Sequence, residues 1–343
     1  MAPGQLDTDV VIAGGGPAGA AAAIACAQRG LRVRLFERAV FSGHRPGETL
    51  HPGVEPLLGQ LGLADRFQAT VGARHSGILL SWAGRKQFQP YGTGQDGAWR
   101  GFQVSRAAFD QLLLDCAREQ GVEVCQPCAV DRVQLGQENG VRVLTGAGPF
   151  SARIVVDATG RAGWLSRRLG VARSARSPRL TARYGYVAGS CSGRYETPEL
   201  VGDSKGWVWT AMVRPGLCHW TRVGVDGSRA DPSWVPVDLR GLTPVGPSKG
   251  ADVTWRMATR PAHPAWFIVG DAACLLDPLS SKGVLRAMMG GIAAGHLVAN
   301  VLDGHITAGA AASVYQHWLS EWFAQEAMRL ATFYRELGIA GFA

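Results

Sequence analysis

The sequence predicts an α/β protein in which a domain built on a parallel β-sheet is interrupted by an antiparallel β-sheet domain and followed by a C-terminal helix. Three observations carry this prediction. Short apolar runs of the kind found in buried parallel strands begin at Val10, Ile154 and Phe267, and each leads into a glycine turn. Strand patterns dominate from Ala172 to Thr259. From Ala308 onward, apolar residues recur at helical spacing.

A glycine motif follows the first predicted strand. Gly14, Gly16 and Gly19 satisfy the pattern GxGxxG. In this pattern the first glycine allows a tight turn, the second lets the backbone approach a pyrophosphate, and the third lets the next helix lie close to the strand. Pro17 and Ala18 open that helix, whose N-terminus offers N–H groups and a partial positive charge to phosphates.

An acidic residue completes the nucleotide-binding pattern. The alanine-rich helix predicted over Ala18–Arg29 and the strand predicted over Leu31–Phe36 lead to Glu37. This residue lies about twenty positions past the glycines, where a carboxylate would bind an adenosine ribose. Strand, glycines, helix, second strand and acid follow the order of a Rossmann-like unit. The alternative is a glycine-rich loop without a ligand.

Length and composition limit the classes of function. A chain of 343 residues can bury a large core, and its length suggests about two domains. The net charge of +8 is spread along the chain without a basic run, so nucleic acid is not a predicted partner. No apolar segment approaches the ~20 residues of a membrane span, and Met1–Thr8 has no signal-peptide core. These observations predict a cytoplasmic protein without a membrane span.

Cysteine spacing gives no sign of a metal site. The seven cysteines are scattered, and Cys125 and Cys128 form one CxxC pair. Because no second pair or histidine cluster stands nearby, we expect ordinary thiols rather than a metal or redox site.

Changes of pattern along the chain predict the domain boundaries. The nucleotide-binding domain would comprise residues 1–75, 98–172 and 259–305. The β-sheet domain would comprise residues 76–97 and 173–258, and a helical segment would follow over 306–343. Since the α/β pattern returns after the strand-rich region, the β-sheet domain is inserted rather than appended.

The second informative stretch ends the strand that begins at Ile154. Its acid, Asp157, and its turn glycine, Gly160, lie where ligands of open parallel sheets bind. An acid and a flexible turn at this edge suit a nucleotide ligand.

The third stretch follows the strand that begins at Phe267. Gly270 and Asp271 come first, and Asp271 can accept a hydrogen bond from a ribose or ribityl hydroxyl. A proline loop, Asp277–Gly283, then leads into a long helix from Val284, whose N–H groups and dipole would stabilise negative charge. The alternative is a capped helix with a tight turn and no ligand.

Taken together, Asp9–Glu37, Asp157–Gly160 and Gly270–Gly283 resemble the three FAD motifs of the aromatic hydroxylase superfamily of flavoprotein monooxygenases. This superfamily, of the p-hydroxybenzoate hydroxylase type, includes flavin-dependent halogenases and geranylgeranyl reductases. The resemblance covers roughly residues 9–305 and implies that FAD is the cofactor.

The resemblance also implies residue roles. Glu37 would hold the ADP half of FAD with the glycines, Arg106 would meet the pyrophosphate, and Asp271 would bind the ribityl chain. Asp157 would sit in a motif shared by FAD and nicotinamide. The implied cofactor-binding residues are Gly14, Gly16, Pro17, Ala18, Gly19, Glu37, Arg38, Arg45, Pro46, Arg106, Val130, Asp157, Gly160, Gly270, Asp271, Pro278, Ser281, Lys282, Gly283 and Val284.

Some features resemble the halogenases of this superfamily. Arg45–Thr49 (RPGET) is similar to their flavin-lining loop, and Trp207 and Trp209 partly match their WxWxIP motif. The alternative is that both tryptophans only pack in a strand. Halogenases also have a KxG lysine that carries the oxidising halogen, but His75 occupies that position here. We therefore expect no halogenation of tryptophan or phenols.

The loop DPLSSKG is also similar to that of the maturation flavoproteins of quinone-cofactor amine oxidases and dehydrogenases. These proteins oxygenate a tryptophan of a partner protein. The sequence therefore predicts an FAD-dependent monooxygenase that hydroxylates an aromatic substrate through a flavin hydroperoxide, with O2 as co-substrate. NADH or NADPH would be the reductant, directly or through a separate flavin reductase. The alternatives are a flavin-dependent halogenase, a geranylgeranyl-reductase-like oxidoreductase and a non-catalytic FAD-binding assembly factor.

The candidate catalytic residues are His75, Trp207, Trp209 and Lys282. Lys282 stands in the loop expected to face the flavin, where a cation would favour the anionic reduced flavin. Its alternative is a solvated lysine at a loop tip.

The C-terminal segment bears on substrate size. Small-molecule enzymes of the superfamily usually have a longer part after the last FAD-domain helix, so we expect a site open on one side. Such a site would suit a tryptophan or tyrosine side chain of a peptide or partner protein better than a free amino acid. An aromatic stripe on the last helix would add an apolar rim to the site or pack on the nucleotide-binding domain. Its members are Tyr315, Trp318, Leu319, Trp322 and Phe323.

Overall fold

The chain has a mixed α/β architecture, which confirms the predicted fold class. A computed structural model describes residues 6–95, 97–136, 140–189, 197–225 and 233–342. The helices of this part of the chain are α1 (Pro17–Ala27), α2 (Val54–Gln60), α3 (Ala64–Phe67), α4 (Arg106–Glu119), α5 (Trp164–Leu169), α6 (Gly283–Leu302) and α7 (Ala308–Glu336).

A parallel sheet forms the centre of the nucleotide-binding part. In spatial order its strands are Glu123–Cys125, Val33–Phe36, Val10–Ala13, Ile154–Asp157, Trp266–Ile268 and Ala262–His263, the last of which is antiparallel. Val10–Ala13 and Ile154–Asp157 are buried along their whole length, as expected of strands covered on both faces. The strand predicted from Leu31 begins at Val33, and the strand predicted from Phe267 begins at Trp266.

A second large sheet, called here the inserted sheet, is antiparallel except for one strand pair. In spatial order its strands are Thr243–Pro244, Thr181–Ala188, Leu217–Gly224, Gly206–Arg214, Glu199–Asp203, Gly77–Trp82 and Arg85–Pro90, with Lys249–Asp252 also paired to Thr181–Ala188. Gly77–Trp82 pairs in parallel with Glu199–Asp203. The two chain segments assigned to the β-sheet domain therefore share one sheet, whereas the exact domain boundaries stay a prediction.

Smaller sheets complete the described part of the chain. One contains Val130–Leu135, Val141–Thr145 and Gly148–Ala152; another Arg173–Ala175, Arg256–Ala258 and Cys274–Leu275; a third Thr49–Leu50, Gly101–Val104 and Val71–His75; and a hairpin joins Thr93–Gly94 to Gly97–Ala98. The pattern from Val54 to Phe67 predicts one helix, but two are present because Gly62 adopts φ +77° between them. This left-handed conformation ends a helix.

Helix α6 packs closely on α1. A Cβ added at Gly291 would overlap the carbonyl oxygen of Ala18, and one at Gly295 would come within 2.8 Å of the Ala25 Cβ. With 20 residues, α6 is long and apolar enough to cross a membrane by length and composition alone, which corrects the expectation that no segment approaches this length. However, 56% of its apolar window is buried inside the protein, as in a core helix. The cytoplasmic location stays a prediction.

Candidate active site

A cavity of about 1350 Å³ lies between the carboxyl ends of the parallel strands and one face of the inserted sheet. Open parallel sheets bind ligands at this edge. The volume exceeds that of pockets for single drug-sized ligands, which reach roughly 1,000 Å³. The cavity can therefore hold a dinucleotide together with a second molecule.

Most of the predicted site residues line this cavity. They are Gly14, Gly16, Pro17, Ala18, Glu37, Arg38, Arg45, Pro46, Arg106, Val130, Gly160, Trp207, Trp209, Asp271, Pro278, Ser281, Gly283 and Val284. Five predicted residues lie outside the described lining, namely Gly19, His75, Asp157, Gly270 and Lys282.

The glycine motif has the geometry that a pyrophosphate requires. Gly14 adopts φ +102°, and a Cβ there would overlap the Ala158 carbonyl. A Cβ at Gly19 would overlap the Gly14 carbonyl, so this glycine lets α1 lie against the turn. At Gly16, by contrast, an added Cβ has no described atom within 4 Å and points into open space. Gly16 is therefore the position where a ligand can approach the backbone.

Glu37 orders the turn that it faces. Its carboxylate accepts hydrogen bonds from the backbone N–H groups of Gly15 (2.7 Å) and Ala39 (3.0 Å), and its side chain lines the cavity. The carboxylate is thus held at the end of the second strand, where an adenosine ribose would lie. Ribose binding by Glu37 stays a prediction.

A buried carboxylate that sequence reasoning missed organises two predicted arginines. Arg106 donates to both oxygens of Asp110 (Nε to Oδ1, 3.0 Å; Nη2 to Oδ2, 3.1 Å), and Arg45 donates to Oδ2 at 3.1 Å. Arg106 also donates to the carbonyl of Pro46 at 2.9 Å. Asp110 is 0% exposed, so its charge depends on these partners. The i, i+4 spacing of Arg106 and Asp110 on one predicted helix could have indicated this ion pair from the sequence.

Asp157 lies behind the cavity rather than in it. It ends a fully buried strand, and its carboxylate accepts hydrogen bonds from Thr159 (N–H, 2.9 Å; Oγ1, 2.7 Å) and from the Leu165 N–H (2.8 Å). Asp157 therefore shapes the turn before α5, and its predicted contact with the cofactor stays a prediction. Gly270 also lies outside the described lining of the large cavity. It adopts φ +60°, and a Cβ there would come within 2.9 Å of the Ala18 Cβ on α1.

Lys282 stands in the predicted loop, but its side chain forms an ion pair with a residue of α7. Ser281 before it has φ +50°, a conformation that redirects the chain. The Lys282 ammonium donates to both carboxylate oxygens of Glu326 on α7 at 3.1 and 3.2 Å. Lys282 is therefore neither a cation in the cavity lining nor a solvated loop tip.

Replacing Lys282 with methionine is expected to leave the reduction potential of bound flavin and its oxygen kinetics unchanged. The free energy of unfolding should fall by about 1–2 kcal/mol, because the mostly buried Glu326 would keep Arg329 as its one ionic partner among the described residues. Arg329→Met is the control and should cost about 0.5 kcal/mol or less, since Arg329 is 70% exposed. Potentiometry and urea denaturation measure the two effects. A lowered reduction potential in Lys282→Met would contradict this placement.

The inserted sheet presents aligned side chains to the cavity. Its register places Trp209, Thr221, Tyr184 and Lys249 in one row across neighbouring strands. All four line the cavity, and Lys249 brings an ammonium group to this row. The other lysines of the sequence, at positions 86, 205 and 282, lie outside the described lining.

Trp207 both lines the cavity and packs in the core. It is 2% exposed, and its indole N–H donates to the Tyr334 hydroxyl of α7 at 2.8 Å. Tyr334 in turn donates to Asp277 (3.1 Å), which also accepts from the Trp255 indole (2.6 Å). Trp207 therefore packs in its strand, as the alternative predicts, and also forms part of the cavity wall.

His75 is buried at the end of the strand Val71–His75 and does not belong to the described lining of the cavity. Burial, reinforced by the positive charge of Arg100, lowers the pKa of His75 to about 4, so the imidazole is neutral near pH 7. Its Nε2 lies 3.0 Å from the Tyr91 hydroxyl. His75 therefore supplies no positive charge at the position that the KxG lysine occupies in halogenases.

The aromatic stripe of α7 packs on the nucleotide-binding part. Tyr315 is buried, contacts Phe267 edge-on and donates to the Ile268 carbonyl at 3.1 Å. None of the five stripe residues belongs to the described lining of the large cavity. Tyr315 therefore packs as the alternative describes. Four of the stripe residues also line a smaller pocket that shares Asp271 and Gly283 with the large cavity, so the apolar rim stays a prediction; they are Tyr315, Trp318, Leu319 and Trp322.

The part of the chain that the structure describes contains no group of three or more His, Cys, Asp or Glu residues that could hold a metal ion. Cys125 and Cys128 are free, half-buried thiols.

The residues present fit FAD. Open space at Gly16, the α1 N-terminus, the Glu37 carboxylate and the paired arginines suit its ADP half, and the loop Pro278–Val284 borders the remaining space. Residues 9–174 match the family model described as FAD dependent oxidoreductase. Fold and site together define an FAD-dependent oxidoreductase.

The relatives and structural neighbours include flavin-dependent halogenases. The tryptophan 2-halogenase of Chondromyces crocatus is 28% identical over 95% of this chain and 68% of its own length. A 1H-pyrrole-2-carbonyl-[peptidyl-carrier protein] chlorinase of Pseudomonas fluorescens is 26% identical over 82% of this chain and 73% of its own. The crystal structure of the halogenase CmlS superposes with a TM-score of 0.87 at 26% identity, over 96% of this chain and 65% of that one. The chain thus spans about two thirds of the length of the halogenase from Chondromyces and of CmlS.

Proposed function

We propose that the chain is an enzyme of the flavin-dependent halogenase type that uses reduced FAD and O2 to modify an aromatic group. The observation that carries this proposal is the likeness to CmlS over 96% of the chain, together with the tryptophan 2-halogenase aligned over 95%. Bound reduced FAD would supply the activation of O2. The residues of the chain bind and orient the cofactor and enclose the substrate beside it.

The cavity divides these tasks between its two walls. Gly16, Glu37 and Arg106 form the wall that would hold the ADP half of FAD. Trp207 and Trp209 belong to the opposite wall, where large apolar surfaces suit an aromatic ring. An aromatic group between these walls would be shielded from water, which strengthens electrostatic interactions around it.

Halogen transfer is the first candidate reaction, because the relatives that align along most of the chain are halogenases. This reverses the order of the sequence-based hypotheses. Hydroxylation stays a second candidate, because His75 stands where the halogenases have the KxG lysine. Lys249 bears on the choice, since this lysine, which carries an ammonium group, lines the cavity in the same row as Trp209.

Lys249→Met should lower formation of a halogenated product at least about tenfold if that ammonium assists halogen transfer, because charged donors near a reacting centre have effects of this order or larger. The FAD content should stay unchanged, since Lys249 lies on the inserted sheet. Lys205→Met, at an exposed lysine outside the lining, is the matched control. Initial rates with bromide are compared by mass spectrometry. Equal bromination rates in all three proteins would exclude a role for Lys249. Oxygenated product without brominated product in all three would favour oxygen transfer.

The electron source and the presentation of the substrate belong to the same proposal. Reduced FAD would come from a separate flavin reductase or from NADH or NADPH directly. The name of the Pseudomonas relative specifies a pyrrole carried by a peptidyl-carrier protein. By analogy, an aromatic group held on a peptide, a carrier or another partner protein is a possible substrate of this chain.

Product identity tests the proposed function. The holoenzyme is incubated aerobically with a flavin reductase, NADH and tryptophan, a phenol or a tryptophan-containing peptide, with and without bromide. A gain of bromine supports halogen transfer, and a gain of oxygen in both conditions supports hydroxylation. Full FAD occupancy with none of these substrates modified would count against the proposal and favour a non-catalytic assembly role.

A further inference from the structure

A buried carboxyl group, Glu48, faces the inserted sheet from the opposite wall of the cavity. It is 2% exposed and belongs to the cavity lining. Neither carboxyl oxygen has a regular hydrogen-bond partner among the described residues. The Tyr186 hydroxyl lies beside the carboxyl but likewise makes no hydrogen bond of regular geometry. Leaving such groups without partners costs free energy that a ligand donor would recover.

The neighbours of Glu48 form a polar end of the cavity that also contains the charged guanidinium of Arg106. Tyr186 lies opposite His219 in the register of the sheet, and His44 stacks on Tyr186 with ring centroids 4.5 Å apart. Burial, with the charge of His44 as a lesser cause, lowers the pKa of His219 to about 3, so its ring is neutral. Burial, followed by the charge of Arg214, also lowers the pKa of His44.

Glu48 is a group at this end that titrates near neutral pH. Burial raises its pKa to about 8, while the Tyr186 hydroxyl and the Arg106 guanidinium act in the opposite direction. Tyr184 and Tyr186 have pKa values raised by burial and stay protonated in this range. Arg106 is held by Asp110 and keeps its charge.

We propose that Glu48 is the specificity-determining acceptor for a ring N–H or O–H group of the aromatic substrate. Trp209 and Tyr184, one row further along the same sheet face, would enclose the ring itself. A site built around an acceptor discriminates against analogues that lack the donor, because the buried acceptor is then left without a partner. The inference rests on the proposed function, since it places the aromatic group in this cavity.

Equilibrium dialysis of indole and 1-methylindole against the oxidised holoenzyme tests the proposal without turnover. Indole should bind about tenfold more tightly or better, and this preference should grow between pH 7 and 9 as Glu48 ionises. Glu48→Ala should lose the preference. Glu48→Gln keeps an acceptor and should retain part of the preference without its pH dependence.

Glu55→Gln makes the same chemical change at an exposed position of α2 and should behave as the wild type. Equal affinity for both probes in the wild type would overturn the proposal, as would a preference that survives in Glu48→Ala. A loss of FAD affinity with an unchanged probe preference would also overturn it, because Glu48 would then serve the cofactor. Absence of product in the turnover assay bears on the proposed function alone, since dialysis requires no reaction.

Discussion

Replacing Gly16 with valine is expected to give a folded protein that contains no detectable FAD. The Cβ position at Gly16 faces open space, so valine fits the protein itself and instead fills the volume that the pyrophosphate needs. The backbone there has φ −68°, which any residue adopts. Absorbance of the purified protein near the flavin bands and thermal unfolding measure cofactor content and folding.

Two further glycines make this experiment specific. Gly309→Val introduces the same side chain into open space on α7, outside the described lining of the cavity, and should retain full FAD content. Gly19→Val should instead destabilise the fold, because its Cβ would overlap the Gly14 carbonyl. A yellow Gly16→Val protein with full FAD would show that the cofactor does not approach this turn.

Asp110→Ala is expected to lower both stability and FAD affinity. Removal of a fully buried carboxylate leaves Arg106 without its bidentate partner, and losing one side of a buried ion pair costs about 3 kcal/mol. Arg45 loses the same partner, so both arginines of the cavity wall would be free to move. We expect FAD affinity to fall at least about tenfold, as measured by titration of the apoprotein.

Asp115→Ala is the matched control on the same helix. Asp115 pairs with Arg118 at 2.6 Å, but both side chains are largely solvated, so this pair should contribute less than about 1 kcal/mol. FAD affinity should be unchanged in the control. Equal effects of the two substitutions would mean that burial of Asp110 has no part in holding the arginines.

Sequence reasoning was most successful where the determinants are local. The turn at Gly14, the open position at Gly16 and the close packing of Gly19 on the Gly14 carbonyl lie within one short motif, although Gly14 also contacts Ala158. The strands that lead to Asp157 and Gly270 were likewise predicted from short apolar runs. These elements form one edge of the cavity.

Long-range packing explains what the sequence alone missed. Lys282 pairs with Glu326, 44 positions away on another element, so its departure from the cavity lining could not be read from its loop. His75 has no local feature that reports its burial. Glu48 meets Tyr186 only because the inserted sheet faces the loop that carries Glu48. Such juxtapositions depend on sheet register and domain packing rather than on spacing.

The central claim is that reduced FAD in this cavity oxidises an aromatic group at the expense of O2. A single-turnover experiment tests it most directly: holoenzyme is reduced without air, freed of excess reductant, and mixed with O2, bromide and a tryptophan-containing peptide. We expect brominated or oxygenated peptide in an amount that approaches the bound FAD, no product without O2, and no product with Gly16→Val protein. Complete flavin reoxidation with unmodified peptide, or equal product from free reduced FAD, would contradict it.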